Sequence, residues 1–345
     1  MSAPPYLDGP ALRELVPMAA AVRVLEEALL AGLDPEDGPR RPVVEVPAGQ
    51  LLLMPAAWGR YAGIKVAGVA PGNPARGLPR ICGTYLLMDG ETLVPLALLD
   101  GAALTALRTP AVSALAVRHL AAGDAGHLTV FGTGPQAWGH VEALRTVRPL
   151  RRVTVVARDP VRAGEFAARC AAAGLRADAV PAAAYAAPSG AASGAYGVPG
   201  GAVTGAEPGA AHVVADPGQG GLVACCTTSR TPLFDGRMIR DGVTVIAVGS
   251  HEPDAREIDD DLVARSTVVV EARRAALAEA GDLVIPLRNG TITSGHLAGN
   301  LADLVTGAVS PGPGPRVFKS VGMAWEDLVV AGAAYEAWLR ARMTR

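Results

Sequence analysis

Apolar residues fall along this chain in two rhythms, and the rhythms mark its elements. Helical spacing runs through residues 8–16 and 18–31. Asp8 is placed to cap the first of these helices, Pro10 lies in its first turn, and Gly32 follows the second. The period then shortens. Val44 and Val46, Leu51 to Ala56, Tyr61 to Val66, Thr84 to Met88 and Leu93 to Leu99 read as strands, the last two as a hairpin around Asp89-Gly90. Residues 102–121 return to helical spacing, as one long helix or as two broken near Pro110. Beyond them, short apolar runs at 128–131, 152–157, 222–226, 243–248 and 267–271 alternate with helical stretches. These include a short acidic helix at 258–265 and a closing helix at 327–342. Continuous apolar strands separated by helices predict an α/β fold with a parallel, doubly wound sheet.

One stretch breaks both rhythms. Residues 182–211 are rich in Ala, Gly, Pro and Ser and nearly chargeless, so they bury too little apolar surface to offset their ordering entropy. They read as a flexible insertion on one edge of the parallel sheet.

The first parallel strand leads into the most informative turn. Leu128-Thr129-Val130-Phe131 is followed by Gly132-Thr133-Gly134-Pro135-Gln136-Ala137, then by a helix with Ala137, Val141 and Leu144 on one stripe. In a G-x-G-x-x-A turn the first glycine permits the tight bend. The second lets the backbone approach a pyrophosphate, and the alanine lets helix and strand pack closely. The free N–H groups at the start of that helix face the phosphates. The strand at 152–157 ends in Arg158-Asp159, where a ribose contact is expected. Arg158 suits a 2′-phosphate and favours NADP, while Asp159 suits the ribose hydroxyl of NAD. Ligands of such sheets lie at the carboxyl ends of the strands, which puts Gly132, Arg158, Thr227 and Ser250-His251 on one rim.

Composition adds mainly exclusions. The chain has 345 residues, enough for two domains, and a net charge of −2, which gives no footing for nucleic acid or an anionic membrane. No run is long and apolar enough for a membrane span and no signal segment is evident, so a cytoplasmic protein is expected. Four cysteines, Cys82, Cys170, Cys225 and Cys226, show no metal-ligand spacing, and no metal is expected. Lys65 stands inside an apolar run and must find a partner or a cavity, because a buried unpaired ammonium is costly.

Several motifs together resemble the ornithine cyclodeaminase/mu-crystallin family. They are Leu53-Met54-Pro55-Ala56, Ile64-Lys65, the run from Leu99-Asp100-Gly101 through Leu104-Thr105-Ala106 and Arg108-Thr109-Pro110 to Ala114, the glycine turn at 132–137, Val248-Gly249-Ser250-His251-Glu252-Pro253-Asp254 through Asp260, and Phe318-Lys319-Ser320-Val321-Gly322-Met323-Ala324. The resemblance implies a homodimer of two-domain subunits. Residues 1–123 with 318–345 would bind substrate and dimerise, and residues 124–317 would form a Rossmann domain for NADP or NAD. It also implies that Arg41, Lys65 and Arg108 grip the carboxylate of a small amino or imino acid, a task suited to the arginine fork. Arg40 offers the same chemistry beside Arg41. Cofactor contacts are implied at Thr109, residues 132–137, Arg158, Asp159, Thr227, Thr228, Ser229, Val248, Gly249, Ser250, Lys319 and Gly322.

The chain departs from the family's founding activity at one position. Cyclodeaminases carry an Asp in a G-x-D-x-P context, and aligning Gly249 with Pro253 puts His251 there. His251 reads either as the proton donor or as a hydrogen-bonding partner of the nicotinamide ribose. Glu252 and Asp254 read as loop charges or as groups that orient it. The leading expectation is an NAD(P)H-dependent reductase of an imino acid, such as pyrroline- or piperideine-2-carboxylate, reversible as an amino-acid dehydrogenase, with Lys65 and His251 as catalytic groups. The alternatives are an ornithine or lysine cyclodeaminase with recycled NAD, and a catalytically silent binding protein.

Overall fold

A computed structural model describes residues 3–39, 41–185 and 221–344. Arg40 and residues 186–211 of the expected insertion lie outside the described residues. Ala182–Ala184, expected in that insertion, form a 3₁₀ turn at the end of the strand edge, and Tyr185 is buried edge-on against Phe131 with ring centroids 5.5 Å apart. An aromatic anchor holds these first residues to the sheet, which composition alone did not reveal.

The first half of the chain contributes β1 (Tyr6–Leu7), α1 (Gly9–Leu15), α2 (Met18–Leu30), β2 (Val43–Val46), β3 (Gly49–Trp58), β4 (Tyr61–Val69), β5 (Ile81–Asp89), β6 (Pro95–Asp100) and α3 (Gly101–Leu120). Asp8 caps α1 as its position suggested, accepting from the Ala11 N–H at 2.9 Å. The strands form a six-stranded sheet in the order β1-β6-β5-β4-β3-β2, antiparallel except where β1 joins β6. Alternation sets its two faces. Met54, Lys65, Tyr85 and Leu99 are buried on the inner side, where α2, α3 and the last helix pack.

The second half contributes β7 (His127–Phe131), α4 (Pro135–Leu144), β8 (Arg152–Ala157), α5 (Pro160–Ala172), β9 (Arg176–Pro181), β10 (Gly221–Cys225), β11 (Thr244–Ala247), α6 (Asp260–Arg265), β12 (Thr267–Val270), α7 (Arg273–Glu279), α8 (Gly281–Arg288), β13 (Leu297–Asn300), α9 (Leu301–Val305), β14 (Arg316–Lys319) and α10 (Ala324–Met343). Its strands make an eight-stranded sheet in the order β13-β12-β14-β11-β10-β7-β8-β9, parallel at every pairing. The strand order reverses between β7 and β10, which opens a crevice at their carboxyl ends. The chain leaves this sheet at Lys319 and crosses back to pack α10 on the first sheet.

Helix α3 runs through Pro110 without a break. Proline removes the hydrogen bond to the Ala106 carbonyl. Gly139 of α4 lies against both residues: a Cβ there would come within 2.6 Å of the Pro110 ring and 3.2 Å of the Ala106 oxygen. The weakened turn is braced by a neighbouring helix that lacks a side chain at the contact. No helix among the described residues is long and apolar enough to cross a membrane.

Candidate active site

The turn after β7 has the form its residues suggested. Gly132 takes φ +108°, and a Cβ there would meet the Cys226 carbonyl at 2.6 Å, so no other residue fits. Gly134 caps α4 with nothing within 4 Å of the place its Cβ would occupy. The start of α4 is therefore open, with Pro135 in its first turn, Thr133 half-buried beside it and Ala137 fully buried against the sheet. This is a cradle into which a pyrophosphate fits. The Gln136 side chain turns inward, its Nε2 3.5 Å from the Thr105 carbonyl. Thr109 is buried in α3 behind this turn. Arg158 is exposed at the end of β8. Asp159 caps α5, one oxygen accepting from Val161 N–H at 2.9 Å and Arg162 N–H at 3.3 Å.

The rim beyond β10 and β11 is held from beneath by residues read in sequence only as part of a motif or not at all. Glu257, fully buried, accepts from the N–H and hydroxyl of Thr227 at 2.8 and 2.7 Å and from the Gly249 N–H at 2.7 Å. Burial pushes its carboxyl up to about 6, while Lys319 pulls the other way. Asp282 accepts from the Glu257 and Ile258 N–H groups at 2.7 and 3.0 Å and pairs with Lys319 at 2.8 Å. Lys319, expected at the cofactor, spends its ammonium on Asp282 and on the Ser250 carbonyl at 2.7 Å. The Ser250 hydroxyl also turns inward, to the Ala255 carbonyl. The Val248 N–H bonds the Cys225 carbonyl at 3.1 Å, Ser229 closes its own turn on the Thr231 carbonyl at 2.6 Å, and Thr228 is exposed at the edge. His251 follows this braced segment and is half-buried; burial first, then Arg41, lowers its basicity. Glu252 and Asp254 make exposed ion pairs with Arg230 and Arg288 at 2.6 and 2.7 Å, the behaviour of loop charges.

The three cations converge on the segment that follows β14. Lys65, 2% exposed, donates to Asp327 at 2.7 Å and to the Thr105 hydroxyl at 3.1 Å. Burial brings its ammonium down to about 8 against the pull of Asp327. Arg108 donates from Nη1 to Glu326 at 2.5 Å and from Nε to Asp327 at 3.2 Å. The LDG-x-x-LTA-x-R motif explains the placement. Asp100 caps α3, Thr105 stands one turn on beside Lys65, and Arg108 follows on the same face. Gly322, expected at the cofactor, instead covers the Arg108 guanidinium, whose nitrogens would lie 2.7 Å from a Cβ. Arg41 reaches the same segment and donates to the Gly322 carbonyl at 2.6 Å. Arg41, Met54, Gly322 and Met323 line a cleft whose other wall is α7, with Glu279 3.7 Å from Arg41. Glu279 was not anticipated, since nothing in its helix pattern separates it from a solvated charge.

A family model described as ornithine cyclodeaminase/mu-crystallin family matches residues 12–191 and 212–342. The chain belongs to the ornithine cyclodeaminase/mu-crystallin family. A Delta(1)-pyrroline-2-carboxylate reductase of Bacillus cereus is 34% identical over 291 residues, which cover 83% of this chain and 80% of that protein. The solved Delta(1)-pyrroline-2-carboxylate reductase of Thermococcus litoralis, in complex with NADH and L-proline, is 30% identical with a TM-score of 0.84 over 97% of this chain and 98% of that one. An archaeal alanine dehydrogenase dimer with bound NAD is 25% identical with a TM-score of 0.83, covering 98% and 97%. As in other ornithine cyclodeaminase/mu-crystallin proteins of this likeness, the eight-stranded unit is a Rossmann-like nucleotide-binding domain.

Proposed function

We propose that this member of the family is an NAD(P)H-dependent reductase of a cyclic imino acid such as pyrroline-2-carboxylate, reversible as an amino-acid dehydrogenase. The observation that carries it is the pair of buried cations, Lys65 and Arg108, with the Arg108 guanidinium directly beneath Gly322 in the wall of the cleft that Arg41 lines, and His251 near enough to Arg41 to feel its charge. Relatives named for this reduction, and a solved one holding NADH and L-proline, support the reading. When bound, a reduced nicotinamide supplies the hydride. The chain's own part is orientation: Arg41, Lys65 and Arg108 hold the carboxylate, Glu257 and Lys319 fix the rim, and His251 or a water delivers the proton. In this reading residues 1–123 with the chain after Lys319 form the substrate-binding unit and 124–319 the nucleotide unit, since β14 carries the expected boundary at 317 two residues further, to the end of the strand.

NADPH is the preferred cofactor in the proposal. Asp159 has an oxygen committed to capping α5, whereas Arg158 is exposed where a 2′-phosphate would lie. Initial rates with pyrroline-2-carboxylate and piperideine-2-carboxylate test both claims. NADPH oxidation faster than NADH oxidation, with the ratio collapsing in Arg158→Ala, is expected. Proline formed from L-ornithine without net cofactor use, where the cyclic imines are inert, would overturn the reductase in favour of a cyclodeaminase.

A further inference from the structure

The buried charges beneath the cleft do not balance without a proton. Lys65, Arg108, Glu271, Glu326 and Asp327 are all 4% exposed or less. Two cations face three carboxyl groups, an excess of negative charge where an uncompensated ion is expensive. The hydrogen bonds locate the proton. Glu271 accepts three donors: the Ser320 hydroxyl at 2.5 Å, Val321 N–H at 2.9 Å and Gly322 N–H at 2.8 Å. Asp327 accepts from both Lys65 and Arg108. Both are therefore carboxylates. Glu326 accepts once, at Oε2 from Arg108. Its Oε1 is buried with no donor, and its carboxyl lies against that of Glu271. An oxygen so placed is satisfied by carrying a proton and donating it to Glu271.

We propose that Glu326 is a positioning residue held as the neutral acid, donating from Oε1 to Glu271, and that this proton leaves Arg108 and Lys65 with charge to offer a substrate carboxylate. With it, the five buried groups sum to zero; without it, they set a net negative charge beneath the anion that Arg41, Lys65 and Arg108 are to hold. By linkage, a bound carboxylate then tightens the proton and the proton tightens the carboxylate. The groups facing Glu326 are Arg108 from α3, Asp327 on its own helix and Glu271 after β12; Lys65 from β4 and Tyr85 from β5 face Asp327. Burial first, then Glu271, pushes the Glu326 carboxyl well above the usual carboxylate range. The linkage rests on Lys65 and Arg108 being the carboxylate grip; the proton's address does not.

Infrared difference spectra of the full chain, wild type minus Glu326→Gln at neutral pH, test the address. The wild type is expected to show the C=O stretch of a protonated carboxylic acid that the variant lacks. No such band, or the same band in the variant, overturns the assignment. Should Glu326→Gln fail to fold, Glu326→Asp replaces it: the acid band is expected to move in frequency with the change of side chain, and a band at the wild-type frequency overturns the assignment. L-Proline with oxidised cofactor tests the linkage. Its binding is expected to raise the alkaline midpoint of the band by about one pH unit, a tenfold gain in proton affinity. A midpoint unmoved by bound L-proline overturns the linkage. Calorimetry alongside reports whether L-proline binds; if it does not, the substrate reading fails and the linkage with it, while the band still decides whether Glu326 holds the proton.

Discussion

His251 holds the position that the family resemblance equates with the cyclodeaminase carboxylate, and its surroundings disfavour its charged form. Burial and Arg41 hold its basicity below the usual histidine value of 6.5. The imidazole is therefore mostly neutral at pH 7 and gains its proton only as the pH falls further. If His251 delivers the proton to the imine, the turnover number for reduction rises as pH falls below 6.5 and the rise is absent in His251→Gln. The same acid limb in the variant would assign delivery to water. Lys65 and Arg108 were readable in sequence for a plain reason: a lysine or arginine inside an apolar run has to be paired. Their partners were not readable. Arg108 meets Glu326 and Lys65 meets Asp327 across separations of 218 and 262 residues, which no local pattern reports. Glu257, Glu271 and Asp282 were equally hidden, because their sequence surroundings do not distinguish them from surface charges.

At the level of elements, α3 and α4 are joined by one buried histidine. The His140 ring bonds the Gln136 carbonyl through Nδ1 and the Ser113 hydroxyl through Nε2, both at 2.8 Å. Burial pushes it down to about 4. The unfolded chain binds a proton near 6.5 and the folded chain only near 4. Stability from this residue is thus complete above pH 6.5 and lost as pH falls to 4, by about 3 kcal/mol at the most. Urea unfolding at pH 7 and pH 5 should show about 2 kcal/mol of that loss in the wild type and much less in His140→Gln, although the variant is weaker at pH 7. The long elements were legible because period and caps agreed, as Asp8 and α1 show. Whether α3 breaks was not, since continuity at Pro110 depends on Gly139 of another helix. The equally short β11 and β12 were legible as unbroken apolar runs, whereas β13 (LAGN) and β14 (RVFK) mix polar residues and glycine into four positions and declare no pattern.

On the scale of the whole molecule, the six-stranded sheet covers one face with helices and leaves the other to solvent. Val66 sits mid-sheet on that outer face, between Leu53 and Thr84, and is 38% exposed; Val44 is 45% exposed near its edge. An exposed apolar sheet face is a surface on which a partner can dock. We propose that this face is buried in the homodimer that the family resemblance implies; a structural neighbour, the archaeal alanine dehydrogenase, is a dimer. Light scattering should then report a dimer for the wild type and a monomer for Val66→Glu. An undiminished dimer in the variant would move the interface elsewhere.

The closing helix α10 crosses back to the first sheet with both counter-ions of the cation pair on its first turn. Synthesis runs in one direction. While a ribosome is still making the nucleotide unit, Lys65 and Arg108 are already out of the exit tunnel, two ammonium-type charges destined for a core that cannot yet accept them. The first sheet therefore waits, unsealed, for the last helix to be made. Closure of this core is thus post-translational in character, since its charge pairs join residues far apart in the chain.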